Sequence, residues 1–175
     1  MTAATHTLLT VTGAVPGGDV TAFVDEAGVV RAAGFGPADE VAARLLTGAL
    51  AELAGRVRTP AGAGHPVARA LSAYADGDAA ALDRVPVDQP GTVLSQAVWS
   101  ALRAIAPGSP ATYAELAAAA GAPRAVRAAA SACARNRIAP FVPCHRAIRT
   151  GGGLGGYAYG LPVKEALLAW EAANA

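Results

Sequence analysis

The amino-acid sequence predicts a mixed α/β (α+β) protein, in which a small N-terminal antiparallel sheet with helices precedes a helical C-terminal domain. Short apolar runs separated by Gly, Pro and Asp fill residues 7–35, a pattern typical of strands joined by tight turns. Apolar residues at helical spacing dominate the second half of the chain. The Pro-containing stretch 85–91 lies between the two patterns. We therefore expect an N-terminal α/β support domain over residues 1–84 and a second domain over residues 85–175.

The N-terminal domain is predicted to contain an antiparallel meander covered by helices. Its strands are residues 7–12, 20–24 and 29–35, which are rich in apolar residues and are separated by turn residues. One amphipathic helix over residues 38–54 is predicted by apolar side chains at helical spacing, namely Val41, Leu45, Leu46, Ala49, Leu50 and Leu53. After a Gly-, Pro- and Arg-rich connection, a second short helix is indicated by Val67, Leu71 and Tyr74.

The C-terminal domain is predicted to contain a helix-turn-helix. A first helix over residues 95–106 ends at Pro107-Gly108. The sequence from Thr112 to Glu115 is a capping box, which starts a second helix. After a turn at Gly121, Pro123 suits the first position of a third helix that runs to about residue 135. Two helices joined by a tight Gly turn are typical of DNA-binding domains, but an ordinary helical hairpin has the same pattern.

Charge is divided unevenly between the two halves. Residues 1–90 hold 6 Arg and 10 Asp or Glu, a net charge of −4, whereas residues 91–175 hold 8 Lys or Arg and 3 Glu, a net charge of +5. The two values add up to the net +1 of the whole chain. A basic C-terminal half fits a lobe that contacts phosphate, although ordinary unevenness between two domains fits as well.

The cysteine and histidine content and the distribution of apolar residues argue against metal-binding, secreted and membrane proteins. The 175 residues include 2 cysteines and 3 histidines, whose spacing does not fit a zinc site, so we expect no metal and no cofactor. The N-terminus has no basic segment before an apolar run, and no apolar stretch reaches the length of a membrane span. The expectation is a cytoplasmic protein without a membrane partner. A reducing compartment suits free thiols, which disfavours a disulfide between Cys133 and Cys144.

The most informative stretch is Pro143-Cys144-His145-Arg146, which places a thiol, an imidazole and a guanidinium on one short loop. A cysteine is a strong nucleophile only as the thiolate, and a neighbouring base or positive charge lowers the cost of ionisation. The alternative for a single cysteine with apolar neighbours is a buried, inert side chain. The tetrapeptide alone does not separate these two interpretations.

The flanking sequence favours the reactive cysteine. It contains, in this order, Gly91 to Trp99, Pro107-Gly108, Thr112 to Ala117, Arg127, Asn136, Gly155-Gly156-Tyr157, Gly160-Leu161, Lys164, Leu167-Leu168 and Glu171. Over residues 85–171 this order and spacing closely resembles the O6-alkylguanine-DNA alkyltransferases, also called DNA-protein-cysteine methyltransferases. The resemblance implies a ribonuclease H-like N-terminal domain and a winged-helix-like C-terminal domain. It also implies direct-reversal repair, in which an alkyl group moves irreversibly from O6-alkylguanine, and from O4-alkylthymine, to Cys144.

The resemblance implies a catalytic set around this cysteine. Cys144 is the expected nucleophile, His145 takes its proton directly or through a water, and Glu171 orients the imidazole. Lys164 lies on the same predicted helix face as Glu171. From the residues alone, a solvated C-terminal glutamate is the favoured interpretation of Glu171, and Arg146 is expected to anchor the loop.

Two further residues of the catalytic set lie on the helix-turn-helix. Tyr113 is expected to donate a proton or hydrogen bond to the departing guanine, although a core aromatic is the alternative. Asn136 is expected to tie the helix-turn-helix to the active loop by side-chain hydrogen bonds, although a helix C-terminal cap is the alternative.

The third helix of the C-terminal domain is unusual for a DNA reader. It is rich in alanine and lacks the Asn, Gln and dense Arg that recognise major-groove base edges. The resemblance implies that it docks in the minor groove of double-stranded DNA independently of sequence, and that the protein is a monomer. Arg127 then fills the gap left by a flipped nucleotide, since a thiol on a loop cannot reach an atom inside the base stack. The expected DNA-contacting residues are Arg124, Ala125, Arg127, Ala128, Ser131 and Arg135, and the expected pocket residues are Val142, Pro143, Tyr157, Ala158 and Tyr159.

The sequence departs from the family pattern at several positions. Tyr159 stands where the family usually has glycine, which predicts strain if that position needs a positive φ, and a narrower pocket. Leu94 replaces a common phenylalanine, and Arg137 follows Asn136 where proline is usual. Some members bind zinc in the N-terminal domain, but the ligands are missing here.

Three other function classes compete with the alkyltransferase. A non-catalytic damage sensor is opposed by the presence of Cys144. A helix-turn-helix transcription regulator is opposed by the alanine-rich helix and the lack of an evident dimerisation element. A cysteine hydrolase turns over many times and does not need that helix.

Overall fold

The computed structural model describes residues 7–175, and its N-terminal part is a four-stranded sheet with the strand order β3-β2-β1-β4. The strands are β1 (Thr7–Val15), β2 (Gly18–Val24), β3 (Val30–Phe35) and β4 (Val57–Pro60). β1, β2 and β3 form the predicted antiparallel meander. The boundary predicted at residues 84 and 85 stays a prediction, as do the ribonuclease H-like and winged-helix-like assignments.

The fourth strand corrects the expectation of an antiparallel sheet. β4 lies in the stretch that was expected to be a connection, and it pairs parallel with β1, with Thr7 opposite Val57. All four residues of β4 are exposed, so no apolar alternation marks the strand in the sequence. Pro60 is tolerated because β4 lies at the edge of the sheet. The sheet is therefore mixed.

The single helix predicted over residues 38–54 is interrupted. The structure has α1 (Ala38–Leu45), a 3-10 turn and α2 (Ala51–Ala54). The Arg137 guanidinium donates to the main-chain carbonyls of Leu45 at 2.5 Å and Thr47 at 3.1 Å, which satisfies carbonyls at the end of α1. This contact comes from the C-terminal half of the chain, so helical periodicity could not reveal it.

Helices cover both faces of the sheet. Leu8 and Phe23 pack with α1 and α2 in one buried cluster. The opposite face packs against α3 (Pro66–Ala75). A Cβ atom at Gly13 would lie 3.0 Å from the Cβ of Leu71, so the close approach of α3 depends on glycine at this position.

The C-terminal half is built from four helices and a two-stranded parallel ladder. They are α4 (Val93–Ala104), β5 (Ala111–Thr112), α5 (Tyr113–Ala119), α6 (Val126–Ala134), β6 (Ala147–Ile148) and α7 (Leu161–Asn174). The predicted capping box is confirmed, because the Thr112 hydroxyl accepts from the Glu115 amide and the Glu115 carboxylate accepts from the Thr112 amide. The Trp99 indole donates to the Ala132 carbonyl at 2.9 Å and joins α4 to α6.

The start of α6 differs from the prediction. Pro123 does not open the helix; it lies in a turn, and α6 begins at Val126. Gly121 adopts φ +76° immediately before this turn, a conformation that favours glycine. The connection between α5 and α6 is therefore longer than predicted, and Arg124 lies in it rather than on the helix.

One hydrophobic core extends across both halves of the chain. Val11 and Leu71 from the N-terminal half share a buried cluster with Leu102, Phe141 and Leu167. Within residues 7–175, no helix is long and apolar enough to cross a membrane.

Candidate active site

Cys144 opens a 3-10 turn formed by Cys144–Arg146, in the connection between α6 and β6. Its side chain is largely buried, with 9% of the residue exposed. Asn136, which follows α6, donates from Nδ2 to the Val142 carbonyl at 2.8 Å and to the Cys144 Sγ at 3.2 Å. Asn136 Oδ1 accepts from Gln89 Nε2 and from the Ile138 amide, each at 3.0 Å. A single amide side chain thus joins the end of the helix-turn-helix to the thiol.

His145, the residue after Cys144, forms a buried pair with Glu171. His145 Nε2 lies 2.9 Å from Glu171 Oε1, and the side chains are 1% and 0% exposed. A carboxylate only accepts hydrogen bonds, so Nε2 carries the proton and Nδ1 is the acceptor of the neutral ring. Nδ1 is buried and has no hydrogen-bond partner within residues 7–175. Nε2 therefore holds the ring in place through its hydrogen bond to Glu171, and Nδ1 is the atom that can accept a proton.

Burial and hydrogen bonding set the protonation states. Burial raises the pKa of the Cys144 thiol, although the Asn136 hydrogen bond and the nearby Lys164 lower it. Burial lowers the pKa of His145, against the opposing effect of Glu171. Burial raises the pKa of Glu171, but hydrogen bonds from His145 and Arg146 outweigh it and bring the pKa to about 2. At neutral pH the site therefore holds a protonated thiol, a neutral imidazole and a carboxylate.

Arg146 anchors the turn, as the sequence predicted. Its guanidinium donates to Glu171 at 2.9 and 3.0 Å, to both carboxylate oxygens of Asp83 at 3.0 and 3.1 Å, and to the Ile105 carbonyl at 2.8 Å. The residue is 1% exposed. A buried charge with this many partners holds the backbone of the turn in one position.

Lys164 holds the wall of the site rather than contacting the thiol directly. It is fully buried on α7, on the same face as Glu171. Its Nζ donates to the Ala147 carbonyl at 2.6 Å and to the Leu154 carbonyl at 2.5 Å. Burial lowers the pKa of this lysine. These bonds join the strand after the catalytic turn to the following loop.

A cavity of about 460 Å³ opens beside the thiol. We call it the Cys144 cavity; it is lined by Tyr113, Ala130, Cys133, Ala134, Asn136, Cys144, Arg149, Gly155, Gly156, Tyr157, Ala158 and Tyr159. Tyr113, Tyr157, Ala158 and Tyr159 were predicted to lie around the base. Arg149 was missed, and nothing in its sequence context marks it. Ala130, Cys133 and Ala134 were also missed, although their i, i+3, i+4 spacing on α6 places them on one face.

Val142 and Pro143 do not line the Cys144 cavity, which corrects their assignment to the pocket. Both are buried. Val142 borders a different cavity, next to Gln89 and Trp99. Its carbonyl accepts from Asn136, so the residue acts through its main chain while its side chain fills the core.

The strain predicted at Tyr159 is absent. Every non-glycine residue within residues 7–175 has a negative φ. The Tyr159 ring packs against Phe35 with a centroid distance of 5.2 Å, and the Arg44 guanidinium lies 4.5 Å from its centroid. A Cβ atom at Gly34 would lie 2.2 Å from the Tyr159 hydroxyl. The tyrosine ring thus packs against residues of the N-terminal half. Arg44 also donates to the Ala158 carbonyl at 2.9 Å.

The predicted DNA-contacting residues lie outside the Cys144 cavity. Arg124, Arg127, Ser131 and Arg135 are exposed, and Ala125 and Ala128 are partly buried. Arg127, Ser131 and Arg135 repeat every four residues, so they form one solvent-facing stripe along α6. A second side of the same helix faces the cavity through Ala130, Cys133 and Ala134.

Residues 7–175 contain no group of three or more His, Cys, Asp or Glu side chains that could hold a metal ion. Cys133 and Cys144 are both free thiols. His6, one of the three histidines in the sequence, lies outside the described residues.

Comparisons with known proteins find relatives of this chain. The family model described as "6-O-methylguanine DNA methyltransferase, DNA binding domain" matches residues 93–173. The bifunctional transcriptional activator/DNA repair enzyme Ada of Escherichia coli is 50% identical over 90 residues, which are 51% of this chain and 25% of Ada. A methylated-DNA–protein-cysteine methyltransferase of Methanosarcina barkeri is 45% identical over 107 residues, which are 61% of this chain and 67% of the relative.

A solved structure matches almost the whole chain. Mycobacterium tuberculosis OGT in complex with DNA superposes with a TM-score of 0.73 and 31% identity, over 95% of this chain and 94% of that chain. The chain spans about a quarter of the length of the two Ada proteins that it matches. It spans two thirds or more of the archaeal relative and of the mycobacterial structure. The chain belongs to the methylated-DNA–protein-cysteine methyltransferase family.

Proposed function

We propose that this protein repairs alkylated DNA by moving the alkyl group from the O6 atom of guanine to its own Cys144, once per molecule. The observation that carries the proposal is the position of the Cys144 thiol, which borders a base-sized cavity and is followed by the buried His145–Glu171 pair. In the transfer, an S–C bond forms as the C–O bond breaks, and the electron pair of that bond stays on the guanine. A thioether is not cleaved by any group in the site, so the reaction ends there.

The protein activates the thiol at the moment of use. Burial keeps Cys144 protonated at rest, so the thiolate must form by loss of a proton to a base. His145 is neutral, and its buried Nδ1 accepts that proton, directly or through a bridging water. The Glu171 carboxylate, with a pKa of about 2, then faces an imidazolium ion and stabilises it.

Tyr113 supplies a donor for the leaving guanine. Its side chain is half-buried in the wall of the Cys144 cavity. Burial raises its pKa, so the phenol stays protonated at neutral pH. Donation of this proton or hydrogen bond neutralises the charge that develops on the guanine as the C–O bond breaks. No dissociable cofactor is needed for this displacement.

Double-stranded DNA is the proposed partner, bound through α6. The small side chains on this helix allow close approach of its backbone, and Arg124 and Arg135, which flank the helix, provide phosphate contacts independently of sequence. Docking in the minor groove places Arg127 at the base stack. The lesion, including O4-alkylthymine as a second substrate, must leave the stack to reach a cavity beside a buried thiol. We further propose that one monomer acts on each lesion.

Intact-protein mass spectrometry tests the function directly. The protein is incubated with a duplex that contains one O6-methylguanine, and peptides are then mapped. We expect a gain of one methyl group on the Cys144 peptide, saturating at one per protein. The Cys133 peptide is an internal control, because burial raises the pKa of that thiol to about 12 and keeps it protonated at neutral pH. Cys144→Ser should bind the duplex and gain nothing.

Two outcomes of this experiment would contradict the proposal. An unchanged mass with tight binding to the lesion would replace the proposal with a non-catalytic damage sensor. An unchanged mass without any preference for the lesion would contradict both.

A further inference from the structure

The buried carboxylate of Glu171 is contacted from both halves of the chain. Glu171 Oε1 accepts from Tyr74 Oη, from His145 Nε2 and from Arg146 Nη2, each at 2.9 Å. His145 and Arg146 belong to the catalytic turn, whereas Tyr74 lies on α3, 97 residues before Glu171. Tyr74, from the N-terminal half, and His145, the base of the active site, therefore donate to the same carboxylate oxygen of Glu171.

Tyr74 is held in place by packing of its own. The residue is 1% exposed, and its ring centroid lies 4.5 Å from that of Trp170. Burial, followed by the negative charge of Glu171, raises the pKa of this phenol above its usual range, so it remains a hydrogen-bond donor across the physiological pH range. The hydroxyl is thus a fixed, neutral donor to Glu171.

Asp83 contacts the same network from a second position. It lies in the 3-10 turn Leu82–Arg84 and receives two hydrogen bonds from Arg146 Nη1, at 3.0 and 3.1 Å. Arg146 therefore divides its guanidinium between Asp83 and Glu171. Asp83 draws positive charge away from Glu171, while Tyr74 adds a donor to it.

We propose that the N-terminal half is part of the transfer machinery, with Tyr74 as a positioning residue that acts on His145 through Glu171. This inference rests on the proposed function. A carboxylate oxygen that serves three donors binds each of them less strongly than one that serves two. Tyr74 therefore limits how strongly Glu171 stabilises the charged imidazole, and it keeps His145 a free base before the thiol proton arrives. The groups that face this network are Cys144, Arg146, Lys164, Glu171, Tyr157, Tyr74 and Asp83.

The test is the pH dependence of methyl transfer by the full chain in a single turnover. Tyr74→Phe keeps the ring and removes only the hydroxyl. The rate should rise with pH as His145 loses its proton, and the midpoint of this rise should move up by about one pH unit in the variant. Val67→Ala is the matched control, because Val67 is buried on the same helix and its apolar side chain cannot donate a hydrogen bond to Glu171. It should lower stability and leave the midpoint unchanged.

Asp83→Asn provides an opposite shift. Loss of this negative charge releases Arg146 towards Glu171 and lowers the basicity of the pair, so the midpoint should move to lower pH. Titration of the His145 ring by NMR in the same proteins should show the same two directions, and this readout does not require transfer. If the wild type methylates and all profiles superimpose, the inference is overturned while the proposed function stands. If the wild type does not methylate, the proposed function fails, and the NMR shifts alone decide whether Tyr74 and Asp83 act on His145.

Discussion

The side-chain amide of Asn136 donates a hydrogen bond to the Sγ atom of Cys144 at 3.2 Å, so the residue that ends the helix-turn-helix contacts the nucleophile directly. The same amide donates to the Val142 carbonyl at 2.8 Å, two residues before the cysteine. A donor placed on sulfur favours the thiolate over the thiol and opposes the effect of burial. One side chain thus links the end of α6, the helix proposed to bind DNA, to the thiol.

Asn136→Ala should make the thiol less reactive. Hydrogen bonds to a charged group contribute about 1.5–3 kcal/mol, so loss of this donor should raise the pKa of Cys144 and slow alkylation at fixed pH about tenfold. The measurement is the rate of labelling of the Cys144 peptide by iodoacetamide. Gln89→Ala is the control, because it removes a partner of Asn136 Oδ1 and keeps the contact with sulfur. Equal labelling rates in Asn136→Ala and the wild type would refute a role in activation.

Glu171 should make the protein sensitive to acid. Its pKa is about 2 in the folded protein, below the ordinary value of 4.5, so its contribution to stability is complete above about pH 4.5. That contribution, roughly 3 kcal/mol, should be lost as the pH falls through 2. Urea unfolding from pH 6 to pH 2 measures it as a slope. Glu171→Gln should flatten the slope, whereas Glu165→Gln, at an exposed position of the same helix, should not. Parallel slopes for all three proteins would count against the assignment.

Tyr159 should restrict the size of the transferred group. Its ring borders the Cys144 cavity and is held by Phe35 and Arg44, so it does not easily move aside. Tyr159→Gly should increase transfer from O6-benzylguanine about tenfold, a typical effect of a change in pocket size, and leave methyl transfer nearly unchanged. Tyr159→Phe keeps the ring and should behave like the wild type. The two substrates are compared by single-turnover kinetics. Equal rates of benzyl transfer in Tyr159→Gly and the wild type would contradict the prediction.

Arg127 should stabilise DNA in which the damaged nucleotide has been flipped out of the base stack. It is exposed on α6 and contributes nothing to the cavity, so its effect should appear only with stacked DNA. Arg127→Ala should slow transfer from duplex O6-methylguanine roughly 30-fold, equivalent to about 2 kcal/mol of unstacking energy. Transfer from free O6-benzylguanine should be unchanged. Arg69→Ala, on the N-terminal helix α3, controls for the loss of a positive charge. Comparable duplex rates for the wild type and Arg127→Ala would contradict the role in flipping.

Signals between neighbouring residues were enough to predict most of the local structure and the residues proposed to carry the chemistry. Cys144, His145 and the capping box at Thr112 are local signals, because each depends on residues that are neighbours in the chain. The α1–α2 break and β4 were missed for the opposite reason. The first follows from a bond with Arg137, 92 residues from Leu45, and the second from pairing with β1.

The side chains that support the site could be identified only from the folded arrangement. The sequence marked Glu171 through a resemblance, but it gave no sign that Tyr74 shares its oxygen atom or that Asp83 shares Arg146. It also placed Val142 and Pro143 in the pocket, although neither residue lines the Cys144 cavity and the side chain of Val142 fills the core. The physical reason is common to these cases. Hydrogen bonds to buried charges are satisfied by whichever side chain the packing brings near, and that choice depends on the arrangement of α3, α7 and the catalytic turn rather than on any short stretch of sequence.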